Sequence, residues 1–162
     1  MKEPPADILR RLRPIPTYRE HPTTAPRDVA GVGTDGRTPC RVDVVEAPAP
    51  VLLLFLSAGC LGCRDLWEGL RELAAGLEGT ARLAVVTRSP GEEDPAAIAV
   101  LAGGPAERPG VDVVMSSDAY RDYRVAGPPF LVVADAERVR TESVAWGLGQ
   151  TLRIGLDALR DA

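Results

Sequence analysis

The chain is poor in the residues from which metal and nucleic-acid sites are usually built. It has one histidine, His21, and three cysteines in 162 residues. A tetrahedral zinc site wants four ligands, so it would have to draw on Cys40, Cys60, Cys63 and His21 together. Lys2 is the sole lysine, and the formal net charge is -4. Without a basic excess there is no electrostatic footprint for phosphate backbones, and nucleic acid is excluded as an expected partner. The arginine-dominated positive charge reads as coding bias rather than chemistry.

Long apolar runs are also missing. No stretch approaches the roughly 20 residues of a membrane span. The opening MKEPPADILRRLRPIPTYREHP has neither the apolar core nor the cleavage site of a signal peptide. The expected location is therefore cytoplasmic, or extracytoplasmic if an anchor precedes residue 1. An odd number of cysteines argues against a disulfide-stapled secreted scaffold and leaves catalysis or metal binding as the natural uses of a cysteine pair.

What is present is a 45% hydrophobic chain, long enough for one domain with a proper core. Residues 1 to 27 hold Pro4, Pro5, Pro14, Pro16, Pro22 and Pro26, six of the fifteen prolines. That density leaves room for one short helix, around Ala6 to Arg13, and reads as a solvated arm on a domain of residues 28 to 162. Ile8, Leu9 and Leu12 offer too little apolar area for that helix to anchor in a membrane. His21, beside Pro22, is expected to be exposed and idle.

Past the arm the texture changes to alternating strands and helices. Asp35-Gly36 is a turn signal, and Cys40, Val42 and Val44 then share one face, which predicts a small hairpin. PVLLLFLS is apolar without a break and predicts a central strand covered on both faces. Leu66, Leu70, Leu73 and Leu77 recur at helical spacing and predict one helix from about Leu61 to Leu77, stopped by Gly79. ARLAVVT and GVDVVMS are further buried strands. EEDPAAIAVLA is a helix between them, with acidic residues near its start where the dipole favours them. A short helix around Asp118 to Tyr123 follows. Two antiparallel strands joined through Ala136-Glu137 come next, and a helix bearing Leu152, Leu156 and Leu159 closes the chain. The predicted class is α/β, with helices on both faces of a mixed sheet.

Cys60-Leu61-Gly62-Cys63 stands where the unbroken strand hands over to a helix. Buried structural thiols, half of a metal site and a redox pair are all open to such a spacing. Too few partner ligands exist for the metal reading, and paired cysteines at such a junction are rarely inert.

Three stretches together resemble the thioredoxin-like superfamily, and within it the TlpA/ResA-like branch. They are PVLLLFLSAGC running into the cysteine pair, the helix RDLWEGLRELAAGL, and VAGPPFLVVAD. The resemblance spans roughly residues 29 to 160. It implies a three-layer sandwich with a mixed central sheet and an N-terminal β-hairpin extension, and it places Pro129 in the cis-proline position. It further implies a thiol-disulfide oxidoreductase acting on a disulfide-bearing or dithiol protein, or on a small thiol, and needing no cofactor because the electrons reside in the sulfur pair. The departures are specific. Gly59 replaces the usual aromatic, Leu61-Gly62 carries no proline, and Leu54 stands six positions before Cys60 where a buried acid is common.

In that reading Cys60 is the nucleophile. A free thiol titrates near 8.5, and a helix start brings this to about 7 or below. Cys63, one turn on, resolves the mixed disulfide. Gly59, Leu61 and Gly62 leave the surroundings of Cys60 open to substrate, Trp67 is expected to line the groove, and Pro128-Pro129 supplies a docking edge without ring N–H groups. Cys40 is expected to be a buried, unreactive thiol. Ser57-Ala58-Gly59-Cys60 has a faint likeness to a peroxidase motif, but Leu53 occupies the position where that motif has proline. The rival from another class is a non-catalytic binding module using the same groove.

Overall fold

The computed structural model describes residues 24–160. The helix expected around Ala6 to Arg13 and the expected exposure of His21 lie outside the described residues.

Seven strands form one mixed sheet: β1 (Val29–Val32), β2 (Pro39–Val42), β3 (Val51–Phe55), β4 (Arg82–Thr87), β5 (Val111–Met115), β6 (Phe130–Ala134) and β7 (Val139–Val144). Their order across the sheet is β2-β1-β5-β4-β3-β6-β7. The three strands β5, β4 and β3 run parallel, whereas β6 joins β3 antiparallel, with Phe55 opposite Phe130. The expected hairpin is β1–β2, and it extends the sheet by pairing β1 antiparallel to β5. Every residue of β3 is buried, as its unbroken apolar run requires of a strand covered on both faces.

The helices are α1 (Arg64–Glu68), α2 (Leu70–Leu77), α3 (Pro95–Ala102), α4 (Ser117–Asp122) and α5 (Gly147–Arg160). On one face of the sheet Leu52, Leu54, Leu83, Val85, Leu131 and Val133 pack with Leu66, Leu70, Leu73 and Ile98 from the helices. On the other, Leu53, Phe55, Val86 and Val132 pack with Tyr120 and Tyr123. Phe55 meets Tyr120 edge-to-face with ring centroids 5.0 Å apart, a favourable arrangement of the two quadrupoles. The result is the expected helix–sheet–helix sandwich.

Two local expectations are corrected. The helix predicted as one piece from Leu61 to Leu77 begins as a 3-10 turn, Leu61–Cys63, and is interrupted at Gly69. A Cβ on Gly69 would come within 2.7 Å of the Leu148 side chain, so α5 crosses at this point too closely for a side chain. The leucine stripe survives the break: Leu66, Leu70, Leu73 and Leu77 are all buried. The start of α3 also differs, since its first turn carries no acid. Asp94 instead caps it, accepting the Ala96 N–H at 3.0 Å, with Pro95 at the first helical position. At its far end α5 is held by Arg140, which reaches the carbonyls of Ala158 and Leu159 while pairing with Asp135 at 2.6 Å.

Candidate active site

The backbone ahead of the cysteines is fixed residue by residue. The Leu56 N–H donates to Val86 O, and its carbonyl accepts the buried Tyr120 hydroxyl at 3.0 Å. The carbonyl of Ser57 accepts the Trp67 indole N–H at 3.1 Å, and the Ala58 N–H reaches a Glu93 carboxylate oxygen at 3.4 Å. Burial pushes the Tyr120 hydroxyl well above the usual phenol range; Arg88, whose guanidinium carbon lies 4.3 Å above the ring, opposes the shift, and Glu93 adds to it. Tyr120 therefore stays a neutral donor, and the end of β3 is a rigid platform.

On that platform Cys60 and Cys63 form a disulfide, with Cα atoms 5.3 Å apart. Cys60 has extended backbone and its carbonyl accepts the Cys63 N–H at 3.1 Å, closing the 3-10 turn. The two sulfurs differ in access: Cys63 is fully buried in the helix-side core, while Cys60 is half-buried. Gly59, Leu61 and Gly62 are exposed.

Pro129 comes to the same place because β6 is antiparallel to β3, so the head of β6 adjoins the tail of β3. The Pro128–Pro129 peptide bond is cis. A Cβ on Gly62 would stand 3.5 Å from Pro129 Cδ, which puts the proline ring against the cysteine turn. The Pro129 carbonyl accepts the Ala145 N–H at 3.1 Å and is thereby committed to the fold.

Beside Cys60 opens a groove of about 450 Å³, bounded by Ala58, Leu61, Trp67, Val100 and Leu101, with Arg64 and Glu68 at its rim. Trp67 forms part of its wall, although it is 4% exposed and its N–H is spent on Ser57. The contributions of α3 and of Glu93 were not foreseen from the sequence. Both follow β4 by a stretch with no motif, and only the packing of α3 beside α1 brings them to the cysteines.

The other thiol is remote. Cys40 lies on β2, four strands from β3 in the sheet, or about 19 Å at the usual strand spacing. It is half-buried, its sulfur is 3.9 Å from Val113 O, and burial raises its thiol above the ordinary range, with Asp112 and Asp35 adding to the shift. Among the described residues no group of three or more His, Cys, Asp or Glu side chains is placed to hold a metal ion. Among them, too, no helix is long and apolar enough to cross a membrane.

No protein-family model matches the chain, and no curated protein matches it. Solved structures do. The thioredoxin domain of a thiol-disulfide oxidoreductase from Bacteroides vulgatus is 16% identical, with a TM-score of 0.60 over 86% of this chain and 97% of that one. An exposed lipoprotein thioredoxin from Streptococcus pneumoniae is 17% identical, with a TM-score of 0.63 over 84% of this chain and 100% of its own. A secreted disulfide oxidoreductase from Mycobacterium tuberculosis, homologous to E. coli DsbE, is 12% identical, with a TM-score of 0.58 over 82% and 95% of the two chains. At these identities the likeness establishes the fold, which is thioredoxin-like.

Proposed function

We propose that this chain is a thiol-disulfide oxidoreductase of the TlpA/ResA-like kind, in which Cys60 exchanges sulfur with a protein substrate and Cys63 resolves the mixed disulfide. The observation that carries the reading is the unequal access of two bonded sulfurs beside Pro129. An incoming sulfur can reach half-buried Cys60 but not buried Cys63.

The chemistry balances without a cofactor. In the oxidised form a substrate thiolate attacks Cys60 Sγ, the Cys60–Cys63 bond breaks, and Cys63 leaves as a thiolate that takes up a proton. A second substrate thiol, deprotonated, then attacks the substrate sulfur of the mixed disulfide and releases Cys60. Two electrons pass from the substrate dithiol to the pair, and the reduced pair runs the same steps backwards against a substrate disulfide. Cys60 precedes only a 3-10 turn and the five-residue α1, so the partial charge favouring its thiolate is that of a short helix. Exposed Gly59, Leu61 and Gly62 leave room for a bulky substrate, and Pro128-Pro129 forms a docking edge without N–H donors. The exposed and secreted character of two structural neighbours supports an extracytoplasmic setting rather than the cytoplasmic one.

The test is a trapping experiment. Reduced Cys63→Ser should accumulate a one-to-one covalent adduct at Cys60 with a peptide disulfide, whereas Cys60→Ser should form none. An adduct mapped to Cys40, or no insulin reduction by the unaltered protein, would refute the proposal. The binding-module alternative has one observation in its favour, the fully buried Leu54 where a proton-relaying acid is common. It predicts no turnover and an alkylation profile at Cys60 like that of a free thiol.

A further inference from the structure

The segment Pro95–Ala102, α3, is PAAIAVLA: it has no polar side chain on any face. A helix apolar all round belongs in an interior. Yet only Ile98 and Ala102 of α3 are buried, while Val100 is 81% and Leu101 38% exposed. Both line the groove that holds Cys60, and so does Leu61, 92% exposed. Three of the five large exposed apolar side chains among the described residues thus line one groove together with Cys60. Contiguous apolar surface of this kind marks an interaction site.

We infer that this groove selects the substrate: it docks an extended segment of a protein in which a large aliphatic or aromatic side chain flanks the exchanging cysteine. The inference rests on the thiol-exchange reading, because Cys60 itself lines the groove and a segment exchanging sulfur there extends from the Pro128-Pro129 edge into it. Charge decides between a peptide and a small anionic thiol. A glutathione-like tripeptide brings two carboxylates, while the rim offers one cation, Arg64, with Glu68 beside it. An apolar side chain between Leu61 and Val100 instead removes surface from water on both partners, which is favourable in proportion to the area covered.

Single-turnover rates of the reduced protein are measured against two peptide disulfides, identical except that leucine or aspartate flanks the cysteine, and against bis(2-hydroxyethyl) disulfide. The leucine peptide should react at least about tenfold faster than the aspartate peptide, the discrimination that a single apolar contact in such a pocket supplies. Val100→Asp should abolish that ratio. Equal rates for the two peptides, or a ratio indifferent to Val100→Asp, overturns the inference. Binding is read separately, from amide shifts of Leu61, Val100 and Leu101 in the oxidised protein with the same peptides carrying serine for cysteine. No exchange with any disulfide, but shifts from the leucine peptide alone, would sink the redox reading and leave the docking intact. No shift from either peptide would sink the docking.

Discussion

Reducing the Cys60–Cys63 bond should destabilise the folded protein by about 2 kcal/mol. The two cysteines are three positions apart in sequence, so the bond closes a loop of about four residues; its effect on the unfolded chain is about 6 cal/mol/K, or about 2 kcal/mol at 25 °C. An opposing contribution would come from a stabilised Cys60 thiolate in the reduced fold, which the short α1 keeps small. Reduced Cys63, fully buried among leucines, behaves as a small apolar side chain and adds no penalty. Urea unfolding followed by circular dichroism, with and without dithiothreitol at pH 7, reads the difference directly. With a slope of roughly 2 kcal/mol/M the reduced midpoint should fall about 1 M below the oxidised one. Through the thermodynamic cycle the same 2 kcal/mol makes the folded pair about 40 mV more reducing than an unfolded one, which is the character of an electron donor. Coincident midpoints, or a reduced form that outlasts the oxidised, would refute this. The thiolate at Cys60 would then be held more strongly than a short helix explains, and the pair would act as an acceptor.

Three further outcomes concern the frame around the site. In Gly31→Ala the new Cβ would overlap the Met115 carbonyl oxygen and lie 2.9 Å from its carbon. Since backbone cannot yield as a side chain can, we expect a loss of about 3 kcal/mol and fast amide exchange throughout β1 and β2; an unchanged urea midpoint would contradict the close pairing of β1 with β5. Burial pushes the Tyr123 hydroxyl from 10.0 up to about 12, against the opposing Arg27 hydrogen bond. The fold favours the neutral phenol, so its contribution is whole below pH 10 and lost towards pH 12, about 3 kcal/mol in all. Tyr123→Phe should flatten that alkaline decline, and an identical slope would discount the residue. Asp28 is held below the ordinary carboxylate range by the Val44 and Val45 N–H groups, with Arg41 helping against burial. Its stabilisation is present above the unfolded pKa near 4 and disappears as pH falls through the lower folded value. Asp28→Asn should therefore lose stability at pH 7, by about 1–2 kcal/mol, and much less at pH 2; a loss independent of pH would refute the assignment.

The strands were legible because their information is local. A short unbroken apolar run from Val51, set between Pro50 and Gly59, reads as a strand covered on both sides, and the alternation after Asp35-Gly36 reads as a hairpin with one face inward. The leucine stripe located α2 for the same reason. It could not reveal the interruption at Gly69, because that is dictated by Leu148, some 80 residues on, crossing where no side chain fits. The candidate site was legible only where strand, cysteine pair and proline follow a family pattern. Its α3 wall was not. A helix with apolar residues at every position has no periodic contrast, so the sequence marks it as buried throughout and says nothing about which side stays open. Glu93 was invisible for a different reason: its approach to Ala58 depends on the path of the segment after β4, not on any spacing.

Along the flank of the sheet, β1 meets β5 at the end of that strand, Val32 opposite Met115, and Cys40 of β2 lies against the Val113 carbonyl; the β5 sequence, VDVVM, is almost wholly greasy. A shortened chain starting after Glu46 would bare the edge of that strand at Val113 and Met115, where an identical strand from a neighbouring molecule could pair. The small hairpin thus serves as a solubility cap, and trimming it would be expected to yield fibrous aggregates even with both sulfurs of the exchange pair in place.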